Sequence, residues 1–263
     1  ILLSGALILD GNASMTMLSL AKMVPTAISS LMGTVVGVFN PQITIAYAED
    51  NTENLVKIIK SCNRILIFIM SIPIAFLTAY GRDFYAMWQP TKDADMLQRL
   101  SLLAVGVLYV SMSIQVLYHV FIITKKVKWN SLVILGSGVL SSCLSLLLLK
   151  TTDLGVMVFP LSSMLTGLLR NLIFTPIYAA RCLKIRWNRF YGDILLGWIS
   201  IGSIVILGNL SRMVFPVDSW IKLILTGVVM GPLALALNFL IILRKEEREM
   251  VIGMLKSRLK GAK

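Results

Sequence analysis

Seven stretches of this chain are apolar for long enough to cross a lipid bilayer, and that pattern limits the fold more than any other feature. They cover residues 15–48, 65–81, 100–124, 131–149, 154–180, 194–211 and 220–243. A helix needs about 20 apolar residues to span the hydrocarbon core, whereas a barrel strand needs about ten with strict alternation. The runs are too long for such strands. The expected fold is therefore all-α, a polytopic membrane bundle of about seven transmembrane helices. Composition agrees: apolar residues make up 57% of the chain and charged residues 14%, against roughly 45–50% and 25% in a soluble domain.

Short polar segments separate the runs: QPTKDAD, KKVKWN, KTTDLG, RCLKIRWNR and FPVDS. Basic residues collect on alternate sides of them. One side holds Lys57, Lys60, Arg64, Lys125, Lys126, Lys128, Arg181, Lys184, Arg186, Arg189 and the basic tail, 17 of the 25 lysines and arginines. The other holds six: Arg82, Lys92, Arg99, Lys150, Arg212 and Lys222. The positive-inside rule makes the richer side, and with it the C-terminus, cytoplasmic. The net charge of +12 then reflects topology and contact with anionic membrane lipids, not nucleic-acid binding. Trp88, Trp129, Trp187 and Trp220 fall at span ends, as an aromatic belt requires. The tail at 244–263 reads as a cytoplasmic segment, either lying on the inner leaflet or solvated. The chain opens on Ile1 rather than methionine, and residues 1–9 are apolar but too short to span. They are expected to be the remnant of a truncated transmembrane helix.

Two basic residues remain inside the spans, Lys22 and Arg170. A charge at membrane depth is costly and normally faces a cavity or a partner. At 100° per residue the Lys22 face collects Ser19, Thr26, Ser29, Gly33, Gly37 and Asn40, all polar or small. Leu20, Met23, Val24, Ile28, Leu31, Val35 and Val38 take the other side. The Arg170 face adds Ser163, Thr166 and Gly167, with Asn171 beside it; Ser111, Gln115 and Tyr118, next to His119, form a weaker polar ridge. Two readings stand for Lys22: a cavity-facing cation, or a side chain that snorkels to the interface from a helix entering near Met15. Small-residue stripes also serve plain helix packing. Pro25, Pro41, Pro73 and Pro176 are expected to kink or end helices.

Other chemistry finds little support. The 13 acidic residues fall in loops or at span ends, so the seven runs lack the mid-span carboxylate that cation-coupled carriers use. Cys62, Cys143 and Cys182 stand alone and His119 is the single histidine, which suggests neither a disulfide framework, a metal site nor a cofactor, and the cysteines read as buried. No hydrolase, nucleotide-binding or metalloprotease motif occurs, so no enzyme is expected.

The phrases LSLAKMVPTAISSLMGTVVGVFNPQITIAYAEDN, KTTDLGVMVF and RNLIFTPIYAARCLKIRW resemble the oligosaccharide flippases. These are the polysaccharide transporter family of the multidrug/oligosaccharidyl-lipid/polysaccharide exporter superfamily. The resemblance implies the C-terminal half of a transporter of 12 to 14 helices, with 10–190 as a C-terminal lobe and 191–243 as two additional helices. It implies a bacterial cytoplasmic membrane location and a missing N-terminal lobe as partner. It further implies a lipid-linked oligosaccharide cargo carried on undecaprenyl diphosphate, with Lys22 and Arg170 meeting the diphosphate and Thr26, Ser29 and Asn40 hydrogen-bonding phosphate or sugar. A drug/cation antiporter of the same superfamily and a non-transporting scaffold of polymer-export machinery are the rival expectations.

Overall fold

The computed structural model describes residues 12–243 together with Arg248 and Glu249. The helix remnant expected at 1–9 and, apart from those two residues, the tail expected at 244–263 lie outside the described residues. Among the described residues every regular element is helical, and seven helical segments are long and apolar enough to cross a membrane. They run as α1 (Asn12–Ala48), α2 (Thr52–Trp88), a third span of α3 (Ala94–Gly106), α4 (Leu108–Ser111) and α5 (Leu117–Ile123), then α6 (Val127–Thr151). The fifth span opens with a 3-10 turn (Gly155–Met157), continues as α7 (Val158–Leu169), passes through a π-helical turn (Arg170–Phe174) and ends as α8 (Thr175–Cys182). α9 (Tyr191–Val214) and α10 (Trp220–Ile241) complete the bundle.

α2 is the hub: it packs on α1, α3, α9 and α10. Lipid is as apolar as leucine, so close backbone approach and interhelical hydrogen bonds must hold such a bundle together. Gly208 on α9 supplies one approach, since a Cβ there would sit 2.9 Å from the Ala79 Cβ of α2. Asn238 on α10 supplies the bonds. It is fully buried, its amide donates to the Phe68 carbonyl at 3.0 Å and to Ser71 Oγ at 2.7 Å, and Ser200 Oγ donates to its Oδ1 at 2.6 Å. One side chain thus ties α10 to both α2 and α9.

The spans differ from the sequence expectations in four respects. α2 extends well beyond 65–81, so Lys57, Lys60 and Arg64 are helix residues, not loop residues, and Arg64 is only 7% exposed. Apolar length marks the hydrocarbon crossing, but a helix continues past it while its cap permits; here Asn51 Oδ1 accepts the Asn54 N–H at 3.0 Å. Asp193, expected at a span end, opens α9 but is buried, with Asn63 Nδ2 donating to its Oδ2 at 3.3 Å. Cys143 is exposed while Cys62 and Cys182 are buried. The third span, expected as one helix over 100–124, begins at Ala94 behind an Asp93 cap and is interrupted across Met112–Val116. The interruption is a tightened stretch in which Ser113 N–H reaches the Val110 carbonyl at 3.0 Å and Ile114 N–H the Ser111 carbonyl at 3.1 Å.

The prolines do less damage than expected. Pro25 and Pro41 lie inside a continuous α1 and Pro73 inside α2. A helical proline leaves the carbonyl four residues earlier without its donor. For Pro25 that carbonyl is Ala21, and the buried Tyr85 hydroxyl of α2 donates to it at 3.2 Å while lying 3.0 Å from Ser101 Oγ. For Pro176 it is Leu172, and the Tyr191 hydroxyl donates to it at 2.7 Å.

Tyr85→Phe should therefore destabilise the bundle by about 1 kcal/mol, read as a lowered thermal unfolding midpoint in detergent. Tyr47→Phe, at an exposed position, should leave it unchanged. Asn238→Leu removes the bonds to the Phe68 carbonyl and to two serines at once and should cost about 1–2 kcal/mol in the same measurement.

Candidate functional site

α1 has three faces. Leu18, Ala21, Pro25, Ile28, Met32, Ile43 and Ala46 are buried at i, i+3, i+4 spacing and form the packing seam. Met23, Leu31, Val38 and Ile45 are exposed apolar residues. Between these faces runs the polar stripe, and it stays open: Thr26, Ser29, Ser30, Gly33 and Gly37 are all exposed. Ser30 and Thr34 turn their hydroxyls onto the carbonyls of Thr26 and Ser30, at 3.0 and 3.1 Å. The Thr26 and Ser29 hydroxyls bond no other described residue.

The structure brings Lys22, Thr26 and Ser29 together. They line a cleft of about 500 Å³ with Pro25 and Ser30; Leu103, Ala104, Val107 and Leu108 of the third span form a second wall, and Pro160, Ser163 and Met164 of α7 the third. Among the described residues no acidic one lines it. Lys22 stands ten residues into α1 from Asn12, so about 15 Å along the axis. The apolar run itself opens at Met15, seven residues or about 10 Å before Lys22. The third span and the fifth contribute residues at comparable remove from their own starts at Ala94 and Gly155.

Arg170 and Asn40 lie outside this cleft. Asn40 shares the Lys22 face but sits eleven residues beyond Ser29, about 16 Å further along the axis. Its carbonyl accepts the Thr44 hydroxyl at 2.9 Å, and that hydroxyl also meets His119 Nε2 at 2.9 Å. Arg170 opens the π-helical turn in the middle of the fifth span, seven residues past Ser163 and so about 10 Å from the cleft along the helix. A polar seam joins the two levels. Ser163 Oγ lies 3.4 Å from Ser141 Oγ of α6, and Arg170 Nη1 donates to Ser137 Oγ at 3.5 Å one turn away on the same helix.

Arg170 rests on the almost fully buried Asn171, whose Oδ1 accepts Arg170 Nε at 3.3 Å and the Tyr118 hydroxyl at 3.0 Å. The Asn171 amide donates to Ser111 Oγ at 2.8 Å. Ser111 and Tyr118 flank the interruption of the third span, so one asparagine grips both sides of it. The weak ridge of Ser111 and Tyr118 is thus a hydrogen-bonded cluster, while Gln115 takes no part. Thr166 and Gly167 of the Arg170 face are packing residues: a Cβ on Gly167 would meet Val107 at 2.9 Å, and Thr166 bonds its own helix. The sequence reading missed Ser30, Pro160 and the α6 serines 137, 141 and 145. The last three stand four residues apart, a spacing that puts them on one face.

The two interior cations differ from the charges at helix ends. Arg82 grips Asp95 through two bonds at 2.6 and 3.2 Å, Arg212 meets Asp83 at 3.0 Å, and Lys222 meets Asp218 at 2.7 Å. The Lys222 ammonium holds the exposed Asp218 carboxyl below the usual carboxylate range. Among the described residues, neither Lys22 nor Arg170 has a carboxylate partner. The described residues also contain no cluster of three metal-ligating side chains.

Seven apolar spans with a charged, polar groove sunk between them define the chain as a multi-pass α-helical membrane protein. Comparison with known proteins agrees at that level. The chain is 26% identical over 258 residues to the uncharacterized membrane protein EpsK of Bacillus subtilis (strain 168), a match covering 95% of this chain and 49% of that protein. The chain thus spans about half the length of the curated relative it matches. No family model matches it, and no solved structure does.

An open polar stripe at this depth should meet water. Single cysteines at Thr26 or Ser29, in a background with the three native cysteines replaced, should react readily with a charged, water-soluble maleimide. Cysteines at Leu31 or Val38 should react much more slowly. Labelling measured in membrane vesicles by gel shift checks this.

Proposed function

We propose that this chain is part of a flippase that moves lipid-linked oligosaccharides, carried on undecaprenyl diphosphate, across the bacterial cytoplasmic membrane for surface polymer synthesis. The observation that carries the reading is the pair of interior cations without carboxylate partners on one polar seam. A membrane-embedded cation with no protein counterion favours an anionic guest. In this reading Lys22 and Arg170 attract the diphosphate, while the Thr26 and Ser29 hydroxyls hydrogen-bond phosphate or sugar. Asn40 contributes only at a different level of the stripe. The C-terminus is cytoplasmic, and a further lobe, matching the unaligned half of the longer relative, closes the open side of the cleft. The bundle works by alternating access and performs no covalent step.

The test is Lys22→Ala and Arg170→Gln in the full-length protein. A charge-assisted contact to phosphate is worth roughly 1.5–3 kcal/mol. Each change should therefore reduce transport by about tenfold or more, seen as less surface polysaccharide and more lipid-linked precursor inside. Normal polymer and precursor levels at normal expression would remove Lys22 and Arg170 from the mechanism.

A further inference from the structure

The third span borders a second cavity on the face adjoining the Lys22 cleft, and the two share Leu103 and Met164. This groove, about 600 Å³, is bounded by Arg99, Leu102 and Tyr109 of the third span, Leu168 of the fifth and Trp198 of α9. Its lining is apolar apart from Arg99 at one end and two hydroxyls that satisfy each other. Thr78 Oγ1 lies 2.8 Å from the Tyr109 hydroxyl and donates to its own Ile74 carbonyl at 2.8 Å.

Three observations identify an occupant. From Arg99 to Val110 the groove follows eleven residues of the third span, about 16 Å, which matches the half-thickness of a hydrocarbon core of about 30 Å. Arg99 stands near the helix start at Ala94, where a headgroup lies. It is exposed and makes no direct ion pair among the described residues, because Arg82 already holds Asp95 through both carboxylate oxygens. Trp198 is the one tryptophan away from the span ends, and it is 46% exposed. It presents a flat apolar wall at the deep end, where an aromatic belt has no role.

We propose that this groove binds one acyl chain of an anionic phospholipid from the adjacent leaflet, with the lipid phosphate on Arg99. The site is independent of the flippase reading, since it needs neither Lys22 nor Arg170. A soluble ligand fits it poorly: the lining offers no unused polar group below Arg99, and the length is that of a single leaflet. A bound lipid also backs the Leu103–Met164 wall that separates the groove from the polar cleft.

Native mass spectrometry of the full-length protein, with phosphatidylglycerol or phosphatidylcholine added in detergent, tests the site. The wild type should retain one phosphatidylglycerol about tenfold better than phosphatidylcholine. Arg99→Gln should erase that preference, and Leu102→Trp, which fills the groove, should abolish retention of both. Lys92→Gln, a charge change in the preceding loop, should change nothing. The proposal fails if Arg99→Gln retains phosphatidylglycerol as the wild type does, if the two lipids bind the wild type equally, or if Lys92→Gln behaves like Arg99→Gln. It also fails if only an isoprenoid diphosphate lipid is retained, since the groove would then serve the cargo's tail. Size-exclusion profiles separate a filled groove from a misfolded Leu102→Trp protein, and the Arg99→Gln comparison stands without it.

Discussion

A backbone carbonyl that loses its hydrogen bond inside a bilayer finds no water to replace it, and at two prolines a neighbouring helix answers that demand. Proline 25 strips Ala21 and proline 176 strips Leu172, and each time a tyrosine hydroxyl from a neighbouring helix takes the freed oxygen. The Tyr85 bond joins the cleft helix α1 to the hub α2, so the lysine-bearing face is held in place by the repair of a defect three residues away from it. The interruption of the third span is held the same way, by side chains from elsewhere, with Asn171 reaching both of its flanks.

Charge follows a second rule. Near the helix ends, where water competes and ion pairs form readily, three cations are matched with carboxylates: Arg82 with Asp95, Arg212 with Asp83, Lys222 with Asp218. In the interior, where an isolated charge is costly, Lys22 and Arg170 have hydroxyls and amides around them but no anion among the described residues. Burial energetics runs against such an arrangement unless something outside the chain supplies the counter-charge. The surroundings of Lys22 and Arg170 are therefore electrostatically incomplete among the described residues, while these three pairs near the helix ends are complete.

The sequence pattern carried the spans and the α1 stripe because both are periodic along one helix. Lys22, Thr26 and Ser29 recur at three- and four-residue steps, and their meeting in one cleft needed no information from another element. Asn40 exposes the limit of that reading: a shared face is not a shared cavity when about 16 Å of helix lies between. The interruption of the third span was not legible, since residues 107–123 contain neither proline nor glycine and the residue that grips it is Asn171, more than fifty positions away. The α2 charges were misread for a related reason: hydropathy finds where a helix is apolar, not where it stops. The proline repairs were equally hidden, because nothing near Pro25 names Tyr85 as its partner.

The Asn171 cluster has a mechanical consequence. A one-turn slip of the fifth span past the third, about 5.4 Å, would break the bonds to Ser111 and Tyr118 together and move Arg170 off its seat. All of this lies at a depth where replacement partners are scarce. Those two spans consequently behave as one riveted strut. Side-chain bonds also tie α1 to its neighbours, Tyr85 to the Ala21 carbonyl and Thr44 to His119, so the helix that carries the lysine is anchored to the hub and to that strut at two levels.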